Sequence, residues 1–295
     1  MKGHSTAPLV TVVISSYNHG PYIEDSIRSV LTQTYPFIEL LVIDDGSSDD
    51  SVTRIRALQA EYGFDFRVQQ NQGLTRTLND ALARAKGCYF APFGSDDIML
   101  PERIALQVEY MEGKPKVGIC AGNIELMSAD GRSYPASRQQ LDVPFRRLDF
   151  DDMFLGRKPY TPAPTLLFRT EVLREVGGFD PEIRLEDVYI KLRITHAGYF
   201  IDALGVPLAR YRKHETNTYK NLGFMTSSVL KIYEAYSAHP LYEEVRSDFI
   251  NSMFLKSANR DRSLAWKLLK QLPLRRWNGK TVRGIIRLVL PKGRR

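Results

Sequence analysis

The chain has 295 residues, 43% of them hydrophobic and 25% charged, an ordinary soluble globular composition with room for one large domain and an appendage, or for two small domains. No stretch reaches the roughly eighteen apolar residues of a membrane span. The opening MKGHSTAPLV holds no apolar segment of signal-peptide length, so a cytoplasmic protein is expected. The formal net charge of +7 is uneven: residues 257–295 carry 12 Lys and Arg against Asp261 alone, or +11, which leaves −4 for residues 1–256. A mildly acidic body and a strongly basic tail point to two separate tasks.

Residues 10–14 form a short, largely β-branched run that suits a strand buried on both faces. Turn chemistry follows over residues 16–20, and Pro21 stands where a proline opens a helix. Ile23, Ile27, Val30 and Leu31 recur on one side of that helix. A second strand, residues 38–43, runs into Asp44-Asp45-Gly46-Ser47. In an open parallel sheet ligands bind beyond the carboxyl ends of the strands. Ser15-Ser16-Tyr17-Asn18 and Asp44-Asp45 are therefore placed to face one small molecule, although two polar loops that merely cap the next helices would read the same way.

A helix is predicted over residues 48–62 with Ser47 or Ser48 as N-cap, and a third strand over 66–69. Asn71-Gln72-Gly73 leads into a helix with Leu74, Leu78, Ala81 and Leu82 inward and Asn79 on another face. The fourth strand, 88–93, ends in Gly94-Ser95-Asp96-Asp97, and Pro101 opens the next helix. Adjacent carboxylates at a buried strand end repel unless a positive group sits there. A divalent cation is the economical partner, since Mg2+ takes one or two carboxylates plus phosphate oxygens and water. Cys88 and Cys120 fall in predicted strands and are expected to be buried free thiols, with neither disulfide nor metal spacing.

Residues 117–127 read as a strand turning at Ala129-Asp130-Gly131 into a hairpin, and 148–155 as a short helix. The Pro-rich loop 160–165 enters a strand at 166–169; it suits the rim of an acceptor pocket or a plain connection. A helix over 170–176 ends at Gly177-Gly178, and Glu186-Asp187 open another, where they would also complement the helix dipole. A strand over 206–212 is followed by Lys213 and His214. His4, His19 and His239 read as solvated and His196 as helix surface. From Asn221 the pattern is helical, over 224–236, 242–257 and 264–272. The final piece, 274–290, mixes Lys and Arg with Trp277, Ile and Leu. It is expected, with Trp266, to lie on an anionic membrane surface in preference to nucleic acid or to the body of the protein.

Four motifs in order, V-V-I-x-x-Y-N at residues 12–18, Asp44-Asp45-Gly46-Ser47, Ser95-Asp96-Asp97 and Gly177-Gly178-Phe179-Asp180 with Glu186-Asp187, resemble the inverting, family 2 glycosyltransferases of the GT-A fold over residues 9–220. The resemblance implies an α/β fold with a Rossmann-like mixed sheet and helices on both faces. The domains would be a catalytic one at 1–220 (nucleotide-binding half 9–115, acceptor half 116–220) and a helical, basic, membrane-associating segment at 221–295. It implies donor contacts from Ser15, Tyr17, Asp44, Asp45, Asn79 and Asp96, and a Mg2+ or Mn2+ site at Asp96, Asp97 and His214, with Arg212 or Lys213 offsetting phosphate charge. It implies Asp187 as general base, supported by Glu186. Gly94 departs from the family's commoner D-S-D-D, which leaves one contact to ribose or metal in question.

The function implied is sugar transfer from a nucleotide-diphosphate donor, a dTDP-linked deoxysugar such as L-rhamnose or a UDP-hexose, to a lipid-linked surface glycan such as lipopolysaccharide core or O-antigen. The enzyme would work at the inner face of the cell membrane. A nucleotidyltransferase is disfavoured because Ser-Ser-Tyr-Asn-His-Gly contains no lysine, and a nicotinamide dehydrogenase because no G-x-G-x-x-G follows the first strand. The alternative is a non-catalytic, membrane-bound nucleotide-sugar binder or polysaccharide-assembly subunit, which Gly94 favours.

Overall fold

The structure, a computed structural model, describes residues 7–139, 143–157, 160–183, 185–215 and 221–289. His4 and the last basic residues lie outside that set. The chain divides into two compact units, Met1–Glu215 and Thr216–Arg295.

The first unit runs β1 (Val10–Ser16), α1 (Gly20–Leu31), β2 (Ile38–Asp44), α2 (Ser51–Tyr62), β3 (Asp65–Val68), α3 (Leu74–Arg84), β4 (Tyr89–Gly94), β5 (Ile98–Met99), α4 (Arg103–Met111) and β6 (Val117–Ser128). It continues through β7 (Arg146–Leu148), α5 (Phe150–Phe154), β8 (Leu167–Arg169), α6 (Thr170–Glu175), α7 (Glu186–His196) and β9 (Phe200–Lys213). Among the described residues these strands make one mixed sheet in the order β3-β2-β1-β4-β8-β6-β9-β5, with β7 also on β9.

The run at β1 is buried along its length, and its alternate residues serve two different layers. Val10, Val12 and Ile14 join Ile23, Ile27 and Val30 of α1, Ile55 and Leu58 of α2, and Ile104 and Val108 of α4 in one core. α3 lies against β1 as well, with Leu78, Ala81 and Leu82 buried. Each such aliphatic side chain contributes about 1.5–3 kcal/mol on burial. β1 is parallel to both neighbours, β2 and β4, and the chain leaves it in opposite directions. That is the switch point where carboxyl-end loops part to admit a ligand. β8 is antiparallel to β4 and β6, and β9 is parallel to β6. The end of β9 thus returns to the same edge of the sheet as the ends of β1, β2 and β4.

Several local expectations shift. α2 begins at Ser51, because Ser47 and Ser48 are spent in the preceding loop: the Ser47 amide donates to Asp44 and the Ser48 amide to Asn18. Leu74 is exposed, and Thr75 and Thr77 join the buried face of α3 instead. The turn at Gly131 exists, but its return strand is a single bridge, Met127 to Ser133, and the long partner of β6 is β9. The stretch expected as one short helix splits into β7 and α5, with Asp149 between them in a capping box. Cys120 is buried, whereas Cys88, just ahead of β4, is exposed.

The second unit holds α8 (Leu222–Glu234), α9 (Tyr242–Ser257), α10 (Arg262–Lys270) and α11 (Gly279–Val289). Ile250, Met253 and Phe254 of α9, Ala265 and Leu268 of α10 and Leu288 of α11 form its core. Gly284 allows α11 to lie on Phe254, since a Cβ there would fall 2.4 Å from the ring. No helix among the described residues is long and apolar enough to cross a membrane.

Candidate active site

The loop after β1 is held by the loop after β2. Asn18 sits at φ 53°, a conformation asparagine tolerates. Its amide donates to Ser47 Oγ at 2.8 Å, and its Oδ1 accepts from the Ser48 amide at 2.8 Å. The amides of His19 and Gly20 donate to Ser51 Oγ and Asp49 Oδ2. Tyr17 projects from this loop, 50% exposed. Ser15 is half-buried.

Asp44 and Asp45 are both buried and both occupied. Asp44 accepts the Ser47 amide on Oδ1 and the Ser47 hydroxyl on Oδ2, at 2.8 and 2.7 Å. Asp45 accepts from Gln69 Nε2 and the Gln72 amide on Oδ1, and from the Gly73 amide on Oδ2, at 2.8–2.9 Å. Asn79 is likewise spent: its amide nitrogen donates to the Phe179 carbonyl and its oxygen accepts the Phe179 amide. These three residues build the loops next to which a donor would lie.

The loop after β4 is arranged differently. Asp96 Oδ2 accepts from His214 Nε2 at 2.8 Å, and the Asp96 carbonyl accepts from Arg212 Nε at 2.7 Å. Asp97 points inward: Oδ1 accepts the Arg212 amide at 2.9 Å. Burial, reinforced by the neighbouring Asp96 carboxylate, raises its pKa well above the ordinary carboxylate range. Arg212 is almost fully buried, bonded also to the Ala129 carbonyl and to Asp25 and stacked 4.9 Å over the Tyr22 ring, so its role is to brace this loop.

The structure brings Asp96 and His214 together as expected, but the third member of the cluster is His19, not Asp97. Ligand atoms of His19, Asp96 and His214 all lie within 4.8 Å of one another. His19 Nδ1 is 2.7 Å from Ser95 Oγ, and its ring meets that of His214 edge-on at 5.7 Å. Burial lowers the pKa of His19. The sequence alone does not mark His19, because one histidine in a polar turn carries no spacing signal and reads as solvated. Its position next to Asp96 depends on β1 pairing with β4. Two imidazoles and a carboxylate fit a divalent ion with coordination positions left for a ligand.

A Cβ at Gly94 would lie 2.8 Å from Asp96 Oδ1 and 3.0 Å from Asp97 Oδ2, so a side chain here would require the two carboxylates to shift.

Glu186 and Asp187 open α7. Helix α7 turns over three residues into β9, so its first turn lies toward the edge where β9 ends. The preceding segment is tied to the donor loops, because Thr75 Oγ1, two residues past the Gly73 held by Asp45, donates to the Ile183 carbonyl. Lys191, buried one turn along α7, places Nζ 3.0 Å from Asp187 Oδ2 and also donates to the Thr161 carbonyl of the Pro-rich loop. Burial, with the Asp187 carboxylate beside it, pushes the Glu186 carboxyl up to about 8.

Parallel strands of a mixed sheet with their carboxyl-end loops at a switch point, three side chains placed to bind a cation and a separate carboxylate dyad make up the candidate site of this α/β protein. Residues 11–177 match the family model of glycosyl transferase family 2, and the chain belongs to that family as a GT-A glycosyltransferase. An uncharacterized glycosyltransferase of Nostoc sp. strain PCC 7120 is 28% identical over 300 residues, 95% of this chain and 88% of that protein. TuaG of Bacillus subtilis, a glycosyltransferase assigned to teichuronic acid biosynthesis, is 36% identical over 129 residues, 42% of this chain and 50% of that one. The mannosyltransferase PcManGT of Pyrobaculum calidifontis, solved with GDP-Man and Mn2+, superposes with a TM-score of 0.61 at 17% identity, covering 98% of this chain and 89% of that one.

Proposed function

We propose that this enzyme moves a sugar from a nucleotide-diphosphate donor to a hydroxyl of a cell-surface glycan, in a single displacement that inverts the anomeric centre. Asp187 carries the chemistry. As the acceptor oxygen bonds to the anomeric carbon and the bond from that carbon to the diphosphate breaks, the hydroxyl proton passes to the Asp187 carboxylate. The single observation that carries this role is the placement of the dyad: Asp187 opens α7 beside Glu186, with its Oδ2 3.0 Å from the Nζ of buried Lys191, which also holds the Thr161 carbonyl of the Pro-rich loop.

Tyr17, exposed at the switch point, is the residue to stack on the nucleotide base, with Ser15 beside it. Asp44, Asp45 and Asn79 act one layer behind, through the loops they hold. Asp96 and His214, with His19 within reach, would hold a divalent cation. Bound there, it would act as a Lewis acid that neutralises charge on the departing diphosphate. The donors bound by relatives favour a sugar nucleotide; a dTDP-deoxysugar such as L-rhamnose and a UDP-hexose are the first to try. The likeness to TuaG favours a surface polymer as acceptor, with lipid-linked lipopolysaccharide core or O-antigen as the chemistry to test.

The second unit supports work at the inner membrane surface. On α11, Thr281, Gly284 and Leu288 face the bundle, so only part of the apolar face expected from sequence remains available. Val282, Ile286 and Val289, 54%, 50% and 67% exposed, form an apolar stripe at helical spacing, and Lys280, Arg283 and Arg287 form a basic stripe beside it. That pairing suits a helix lying in an anionic lipid interface. Co-sedimentation with vesicles containing phosphatidylglycerol should fall at least about tenfold in Ile286→Ser/Val289→Ser, and phosphatidylcholine vesicles should bind neither protein. Equal binding by the variant would remove α11 from the account.

The test of the transferase reading is Asp187→Asn. Turnover should collapse while donor binding, followed by thermal shift, persists; a variant that turns over donor normally would overturn the assignment.

A further inference from the structure

We infer that His19 is a third protein ligand of the divalent cation, and that the two-imidazole, one-carboxylate set makes the site select a first-row transition ion such as Mn2+ over Mg2+. The inference rests on the transferase reading above and extends it to the choice of ion.

The geometry is built in before any ion arrives. Backbone contacts fix His19 in place: its amide donates to Ser51 Oγ at 3.1 Å, and its carbonyl accepts the amides of Tyr22 and Ile23 at 2.9 Å in the first turn of α1. The ring is then held between Ser95 Oγ, Tyr22 and His214. Ser95 immediately precedes Asp96, so the contact locks the first loop to the carboxylate it would share. Atoms bound to one ion at about 2.1 Å lie up to about 4.2 Å apart, close to the 4.8 Å within which the three ligand atoms already fall.

The donor set decides the ion. Mg2+ favours oxygen and keeps its waters, binding through one or two carboxylates and phosphate oxygens. Imidazole nitrogen shifts preference toward first-row transition ions, and two histidines with one carboxylate leave open positions for a further ligand. With Asp97 turned inward, the site has lost the second carboxylate that would suit Mg2+ and has gained a nitrogen.

The test is binding of Mn2+ and of Mg2+ to the full-length, metal-free protein, with and without UDP, by calorimetry and by the electron spin resonance of free Mn2+. The wild type should prefer Mn2+ at least about tenfold. His19→Ala should weaken Mn2+ binding by about 10–100-fold with a smaller loss for Mg2+. His19→Asp should move the preference toward Mg2+. His19→Gln, which can still bond Ser95, covers the case in which the alanine variant does not fold, and should lose Mn2+ in the same way. His239→Ala should change nothing. Wild-type Mn2+ affinity in the folded His19 variants, with loss in Asp96→Ala or His214→Ala, would overturn the inference, as would absence of Mn2+ binding by the wild type in both conditions. Failure of the transferase reading would be seen separately, as no release of nucleotide diphosphate from any sugar donor by the wild type.

Discussion

Asp44-Asp45 and Asp96-Asp97 follow parallel strands at the same edge of one sheet, and the two dipeptides read alike in the sequence. Their surroundings give them opposite work. The first pair accepts five hydrogen bonds, from the backbone amides of Ser47, Gln72 and Gly73, the Ser47 hydroxyl and Gln69 Nε2, and so ties two loops together. The second pair is split, with Asp97 folded under the Arg212 backbone and Asp96 presented between two imidazoles. A carboxylate at a strand end becomes a builder or a ligand according to which donors the neighbouring strand brings. Here the loop after β3 supplies donors to Asp45 and Ser47 supplies them to Asp44, whereas the residue after β9 brings a histidine to Asp96.

That contrast can be broken by substitution. Asp187→Asn, which lies outside both pairs, sets the scale for loss of chemistry, about 10²–10⁴-fold in kcat, with some loss of stability because buried Lys191 loses its counter-charge. Asp96→Ala should cost at least about a hundredfold in metal-dependent turnover, again with little loss of stability. Asp45→Ala should do the reverse, lowering stability by about 2 kcal/mol in urea unfolding, because the amides of Gln72 and Gly73 lose their acceptor. If Asp45→Ala unfolds at the wild-type urea concentration yet loses turnover, Asp45 belongs with the ligands and not the builders. Gly94→Asp, which restores the commoner family residue, should be destabilising by about 1–3 kcal/mol, since its side chain meets two carboxylates already in place.

A further effect is a matter of pH. Glu186 holds its proton to about 8 in the folded protein against 4.5 unfolded, so the folded state binds more protons between those values. Its contribution to stability is present in full below about 4.5 and is lost as pH rises toward 8. Glu186→Gln should flatten that decline in a series of urea melts; a variant that keeps the wild-type slope would show that another group titrates there.

The order of the strands' apolar runs and the four motifs made the fold class legible, because β-branched runs ending in turn chemistry are local signals. The partner of β6 was not legible: β9 pairs with it across about eighty residues, and nothing in the periodicity of either strand names the other. The same distance hid His19, whose meaning depends on Asp96 lying one strand away, and hid the occupation of Asp44, Asp45 and Asn79 by loops. Leu74 and Cys88 were assigned by apolar pattern alone, and each stands at the end of an element where that pattern has least force.

Release of nucleotide diphosphate by the purified chain, with Mn2+ and with Mg2+, across a panel of dTDP-, UDP- and GDP-sugars is the most direct measurement of the central claim. The account predicts metal-dependent release from one donor by the wild type, abolished in Asp96→Ala and retained in a folded Asp45→Ala. Release by Asp96→Ala at the wild-type rate, or no release and no thermal shift with any donor, would contradict it.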